Sequence, residues 1–196
     1  MLRLLGRATS GNVQKVIFGL EEMGLAYERE DYGRQFGNTA TAEYAAMNPT
    51  RKVPTLVDDA VVVWESNTIL RYLASKSGSA LYPADLAARS QVERWMDWLL
   101  AAVNPVYLAG FRDAKKPEGE RGATTASDLA AELALLDGAM KGEWIAGEFS
   151  LADVALGPIV RRCMAFPFER PAMPKLEAWR ERLMQRPAFK RAIAAG

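Results

Sequence analysis

The stretch Lys52-Val53-Pro54-Thr55-Leu56-Val57, the polar break Asp58-Asp59-Ala60, the run Val61-Val62-Val63-Trp64 and then Glu65-Ser66 leave the chain few ways to fold here. Val53 precedes a proline, whose ring pushes it into the extended region. Pro54 itself admits a cis bond in a tight turn. The two apolar runs about a polar break read as a hairpin. Ser66 fits the N-cap of a helix whose apolar positions are Ile69, Leu70 and Leu73. Such a turn exposes the amide and carbonyl of Val53 as an edge onto which a peptide adds like a strand. Amides behind Ser66 favour a carboxylate, and Glu65 offers an anion to an amine. These are the recognition elements of a γ-glutamyl tripeptide carrying a thiol. A buried strand, a hairpin and a capped helix without any ligand account for the same residues.

The pattern before this stretch is α/β. Leu2 to Leu5 reads as a strand, and Thr9-Ser10-Gly11-Asn12 as a polar turn. Val13, Val16, Ile17 and Leu20 have helical spacing and Gly24 is a stop, while Tyr27 to Tyr32 reads as a second strand. A βαβ unit follows from that order. After a loop at Gly33 to Thr41 comes a weak helix near Ala42 to Met47, closed by Asn48-Pro49.

After the helix ending at Lys76 the pattern changes to helices alone. Residues 1–76 read as an α/β domain, 77–84 as a linker and 85–196 as an all-helical domain. Val92, Trp95, Met96, Leu99, Leu100 and Val103 keep helical spacing up to Asn104-Pro105, where the proline is expected to kink or end the helix. Leu129, Leu133, Leu136 and Met140 mark another helix. Ser150-Leu151-Ala152-Asp153 resembles a capping box that opens a helix through Ile159, and two short helices surround Trp179 and Phe189. The basic residues Arg180, Arg182, Arg186, Lys190 and Arg191 read as a solvated helix face.

Histidine is absent and cysteine occurs once, at Cys163. Ser-His-Asp and Cys-His catalysis are thereby excluded, and no zinc or other metal site is expected. A lone cysteine forms no internal disulfide and suits a reducing compartment, so a cytoplasmic location is expected. No apolar run reaches the length of a signal peptide or membrane span. With 25 Lys plus Arg against 24 Asp plus Glu, nothing draws the chain to nucleic acid or anionic membranes.

Ser10 lies between the first strand and first helix, where backbone amides and the helix dipole favour an anion. Lacking a histidine base, it is not expected to act as a nucleophile. Its hydroxyl suits hydrogen bonding to a bound thiolate, which lowers a thiol pKa from about 8.5. Capping of the helix is the competing role, with Thr9 as an alternative hydroxyl. The Asn12 amide is a second donor.

Ser10-Gly11-Asn12-Val13-Gln14-Lys15-Val16, Lys52-Val53-Pro54-Thr55-Leu56, Trp64 through Leu73 and Ser150-Leu151-Ala152-Asp153 together resemble a cytosolic glutathione transferase over nearly the whole length. The Ser10 pattern is similar to bacterial members of the serine-type, theta- and phi-like groups. The resemblance implies a thioredoxin-like N-terminal domain that binds glutathione as co-substrate, an all-α C-terminal domain that helps bind the electrophile, and a homodimer. It implies detoxifying conjugation of the thiolate to small hydrophobic electrophiles, with Ser10 and Asn12 catalytic. It further implies a cis Pro54, Val53 paired to the cysteinyl unit, Glu65 and Ser66 on the γ-glutamyl end, and Lys52 near the glycyl carboxylate. Asp153 is then a folding residue.

Where some relatives use a histidine at the glycyl carboxylate, Arg34 or Gln35 is the substitute. Tyr107, Phe111 and Phe166 are candidates for the electrophile pocket, expected between the domains, and Asp97 for a contact across the dimer. Cys163 reads as a small core residue. Two other activities fit the same fold. One is a glutathione-dependent disulfide reductase or peroxidase; the other is a non-catalytic glutathione- or ligand-binding protein.

Overall fold

The computed structural model describes residues 1–194. By packing, the chain divides into two compact units, Met1–Tyr82 together with the described residues from Arg186 onward, and Pro83–Gln185.

The first unit is built on a sheet of β1 (Leu2–Leu5), β2 (Tyr27–Glu30), β3 (Thr55–Asp58) and β4 (Val61–Trp64), in the order β2-β1-β3-β4. β1 and β2 are parallel, and the other neighbours are antiparallel. A parallel pair needs a crossover, which α1 (Gly11–Glu22) supplies. β2 stops at Glu30, before the expected Tyr32, because its register with β1 runs out at Leu5. Leu4 faces Leu56 across the β1–β3 ladder and both are fully buried. The expected hairpin is β3–β4, and its outer strand keeps Val61, Val62 and Trp64 exposed. The architecture is thioredoxin-like.

α1 is buried on almost every side: Val13, Val16, Phe18 and Leu20 are inaccessible, and so is Lys15. The weak helix expected near Ala42 forms as α2 (Ala42–Met47), while α1 packs on α3 (Ser66–Ser77) and on α9 (Pro187–Ile193), where Phe18 meets Phe189 edge-on at 5.0 Å. Arg186 forms a bidentate pair with Glu22, both bonds 2.7 Å, and Arg191 pairs with Glu21 at 2.6 Å. Arg186 is thereby drawn partly out of solvent, while Arg191 stays exposed beside its partner. They answer acids on a helix far away in sequence, and the final helix packs with the first unit although its sequence neighbours are in the second.

The second unit is helical: α4 (Leu86–Trp98), α5 (Asn104–Asp113), α6 (Thr125–Ala139), α7 (Leu151–Ala165) and α8 (Pro174–Gln185). The break expected at Pro105 takes a particular form. A π-helical stretch, Leu99–Val103, leads directly into α5, whose first turn holds the proline. A proline has no N–H to give the carbonyls of the preceding turn, and the widened π-helical turn carries the chain past it without ending the helix. α7 runs past the expected Ile159 to Ala165 with Pro158 inside it, because Val160, Cys163 and Met164 continue the buried face. Its capping box forms as expected: Asp153 Oδ2 accepts from the Ser150 amide at 3.0 Å, and Oδ1 from the Ile145 amide at 3.1 Å and Trp179 Nε1 at 2.7 Å. Cys163 is a core residue whose thiol is pushed up to about 12 by burial, too high for a thiolate near neutral pH.

Candidate functional site

Ser10 stands at the N-cap of α1 with extended backbone, φ −80° and ψ 125°. Its carbonyl accepts from the Gln14 amide at 2.9 Å, while its side chain makes no capping hydrogen bond. The turn before it is secured without the hydroxyl: Ser10 N donates to the Arg7 carbonyl at 3.1 Å, and Gln14 Nε2 to the Ala8 carbonyl at 3.0 Å. The capping role that competed for Ser10 is therefore absent. The hydroxyl lies beside the amides of the first turn, four of which have no intrahelical acceptor in any α-helix.

The Val53–Pro54 bond is cis, as expected. Behind it, Tyr44 OH donates to the Lys52 carbonyl at 2.8 Å and is 2.9 Å from Thr55 Oγ1. Asn48 Nδ2 donates to the same two atoms, each at 2.9 Å, while Asn48 Oδ1 accepts from the Thr50 amide and hydroxyl. Both side chains are buried, so the loop carrying Val53 is held from within the fold. Gly6 makes room for it, since a Cβ there would lie 2.5 Å from Val13 Cγ2 and 3.3 Å from Val53 Cβ. Lys52 itself is exposed.

At the start of α3 the structure departs from expectation. The N-cap is Glu65, at φ 68° and ψ 118°, and Ser66 is the first helical residue. A non-glycine residue at positive φ is uncommon and costs on the order of 1–3 kcal/mol. Ser66 does not cap because its hydroxyl is engaged elsewhere. Lys15 Nζ donates to Ser66 Oγ at 3.0 Å and to Asn12 Oδ1 at 3.4 Å, and Ser66 Oγ lies 3.4 Å from Asn12 Oδ1. The first turns of α1 and α3 thus meet around one buried ammonium group. Desolvation lowers the pKa of that lysine to about 7, with Glu65 opposing the shift and Arg71 adding to it.

Arg34, in a short turn after β2, is exposed with φ 47°. In the second unit, Tyr107 stacks on Phe166 at 6.0 Å and lies 6.2 Å from Phe111, and Phe166 in turn packs on Phe168. The three expected aromatic residues therefore form one cluster. Gly110 keeps it close, because a Cβ there would come within 3.0 Å of the Phe166 ring.

Ser10, Asn12, Val53, Pro54, Glu65 and Ser66 all lie in the first unit, at the ends of β1 and β4 and the starts of α1, β3 and α3. Sequence reasoning missed Tyr44, Asn48 and, above all, Lys15. Asn48 carried a signal in its Asn-Pro turn; a lysine one position beyond Gln14 on an amphipathic helix carried none.

Among the described residues, no group of three or more His, Cys, Asp or Glu could hold a metal ion, and no helix is long and apolar enough to cross a membrane.

Residues 9–76 match the family model for the glutathione S-transferase N-terminal domain, and residues 96–187 the model for the C-terminal domain. The chain is 36% identical to glutathione S-transferase GstB of Escherichia coli K12 over 203 residues, covering 98% of each. It is 32% identical to glutathione S-transferase 3 of Zea mays, across 99% of this chain and 94% of that one. Among solved structures, the theta class glutathione S-transferase of Xanthomonas axonopodis pv. citri with glutathione bound superposes with a TM-score of 0.92. It is 38% identical to this chain, with 100% of this chain and 98% of that one covered.

Proposed function

Because the chain belongs to the glutathione S-transferase family, we propose that it binds glutathione on its first unit and joins the glutathione sulfur to a small apolar electrophile. The observation that carries this reading is the Ser10 hydroxyl, which sits at a helix N-terminus and spends no hydrogen bond on the helix. It donates instead to the thiolate, and the first-turn amides of α1 add to the stabilisation. Asn12 commits its Oδ1 to Lys15 and Ser66, so its contribution to the sulfur is its Nδ2–H. Each unit by which the thiol pKa falls corresponds to about 1.4 kcal/mol.

In the reaction the thiolate forms a bond to the electrophilic carbon, and the leaving group departs with its electron pair. The protein supplies an ionised nucleophile and its position. The backbone of Val53 pairs with the cysteinyl unit, Glu65 and Ser66 take the γ-glutamyl end, and Lys52 with Arg34 faces the glycyl carboxylate. Tyr107, Phe111 and Phe166 give the electrophile an apolar surface, and the exposed apolar strand β4 suits burial in a homodimer. The single cysteine, which forms no internal disulfide, suits a cytoplasmic setting.

The test is the ultraviolet absorbance of the thiolate in the glutathione complex, followed against pH. The expected result is a midpoint displaced by one unit or more below that of the free thiol, and its return toward the free value in Ser10→Ala. A complex that titrates as free glutathione does, with no turnover on aryl or alkyl halides, supports a binding protein instead. Turnover confined to disulfides and peroxides supports a reductase or peroxidase.

A further inference from the structure

Lysine is among the residues least often fully buried, and when buried it is normally paired with an acid. Lys15 is inaccessible, and it donates hydrogen bonds to neutral groups: the Ser66 hydroxyl on α3 and the Asn12 side-chain carbonyl on α1. Both belong to the proposed glutathione cradle. We infer that Lys15 is a positioning residue for the γ-glutamyl carboxylate, directing the Ser66 hydroxyl proton toward that carboxylate and taking up a proton from solution as the ligand binds. This deepens the reading of Ser66 given above and rests on it.

The reasoning starts from the direction of one hydrogen bond. A protonated Lys15 has only donors, so Ser66 Oγ accepts from it and gives its own proton to another acceptor, which in this structure is Asn12 Oδ1 at 3.4 Å. An incoming carboxylate is a stronger acceptor than the amide oxygen at the end of that long bond and draws the Ser66 proton to itself. A neutral Lys15 has a lone pair, can accept the Ser66 proton, and leaves Ser66 presenting an oxygen that repels the same carboxylate. The ligand therefore selects the protonated form, and binding and protonation are linked.

The surroundings keep this balance within reach of neutral pH. Burial lowers the lysine to about 7; from α3, Glu65 favours the charged form and Arg71 opposes it. From α9, Arg186 and Arg191 are held by Glu22 and Glu21 at the other end of α1, and from β1 Arg3 is held by Glu30. A carboxylate arriving beside Ser66 adds a further negative charge and shifts the balance toward the ammonium.

The experiment is calorimetric titration with S-methylglutathione, whose blocked sulfur cannot ionise, in buffers of different ionisation enthalpy. For a group titrating near 7, the wild-type protein is expected to take up about 0.7 of a proton at pH 7.5, and its affinity to weaken about fivefold between pH 7 and pH 8. Lys15→Met is expected to show no uptake and a flat profile. Lys15→Arg, charged at every pH tested, is expected to restore affinity without restoring uptake. Wild-type binding with no proton uptake and equal affinity at pH 7 and pH 8 overturns the inference while leaving the glutathione site intact. Uptake that persists unchanged in Lys15→Met also overturns it. No binding of S-methylglutathione at all brings down the glutathione reading itself.

Discussion

The Tyr44 hydroxyl donates to the carbonyl of Lys52, 2.8 Å away, and so fixes the residue just before the cis Val53–Pro54 bond. Burial raises the pKa of this phenol, which keeps its proton on the oxygen and the bond intact across the physiological range. The loop that carries Val53, the edge proposed to pair with glutathione, is thereby aligned from within the fold. Tyr44→Phe removes that donor and leaves Asn48 as the remaining partner of the Lys52 carbonyl. The variant is expected to lose about 1 kcal/mol of stability and to bind glutathione several-fold more weakly. Thermal melts and calorimetry on the same samples check both parts. Unchanged affinity would show that the loop holds its shape without Tyr44.

Glu65 at φ 68° holds a conformation that glycine adopts readily. Glu65→Gly is expected to relieve the strain, offsetting the entropy that glycine loses on folding, so that stability changes by less than about 1 kcal/mol. Glutathione affinity should nevertheless fall by tenfold or more, because the anion proposed to face the ligand amine is gone. Stability retained alongside lost affinity would mark Glu65 as a binding residue kept at a structural cost. Equal affinity would remove it from the site.

Asp153 is inaccessible and its carboxyl is pushed up to about 6, with desolvation outweighing the hydrogen bonds, among them those from Ile145, Trp179 and Ser150, that favour the charged form. A folded-state pKa above the unfolded value means that the native state holds the proton more tightly. The contribution is therefore fully present below the unfolded value near 4 and is lost as pH rises through about 6. Asp153→Asn cannot titrate, and it turns a donor toward the Ser150 amide. The variant is expected to be less stable throughout, with the gap to wild type widening by up to about 3 kcal/mol between pH 7 and pH 4. Denaturant unfolding at a series of pH values measures that gap. A constant gap would show that the carboxyl does not titrate in this range.

Phe189 is fully buried against Phe18. Phe189→Ala is expected to cost about 3–5 kcal/mol and to expose the last helix to limited proteolysis before the rest of the chain. Simultaneous cleavage throughout would show that α9 and α1 unfold only with the whole first unit.

Much of the fold was legible because it is written in short-range patterns. The hairpin showed in Val57 and Val61 on either side of Asp58-Asp59-Ala60, the cis-proline turn in Val53-Pro54, and the α7 start in Ser150 and Asp153, since each depends on residues within a few positions. Ser66 was misplaced as the cap of α3 for the opposite reason. Its hydroxyl partner, Lys15, lies on another helix, and no local rule for N-caps contains it. The same is true of Arg186, which resembles part of a solvated face until α1 brings Glu22 to it.

The sequence by itself determined the order of elements, the helical second half, and the exclusion of histidine catalysis and of an internal disulfide. Those follow from composition, periodicity and the stereochemistry of single residues. Only the tertiary structure decided that Ser10 leaves its helix uncapped, that Tyr44 and Asn48 brace the Val53 loop, that α9 packs with the first unit, and that a buried lysine joins Asn12 to Ser66. Burial and charge belong to a place in space, and residues separated by fifty positions acquire a common environment only when packing brings their helices together.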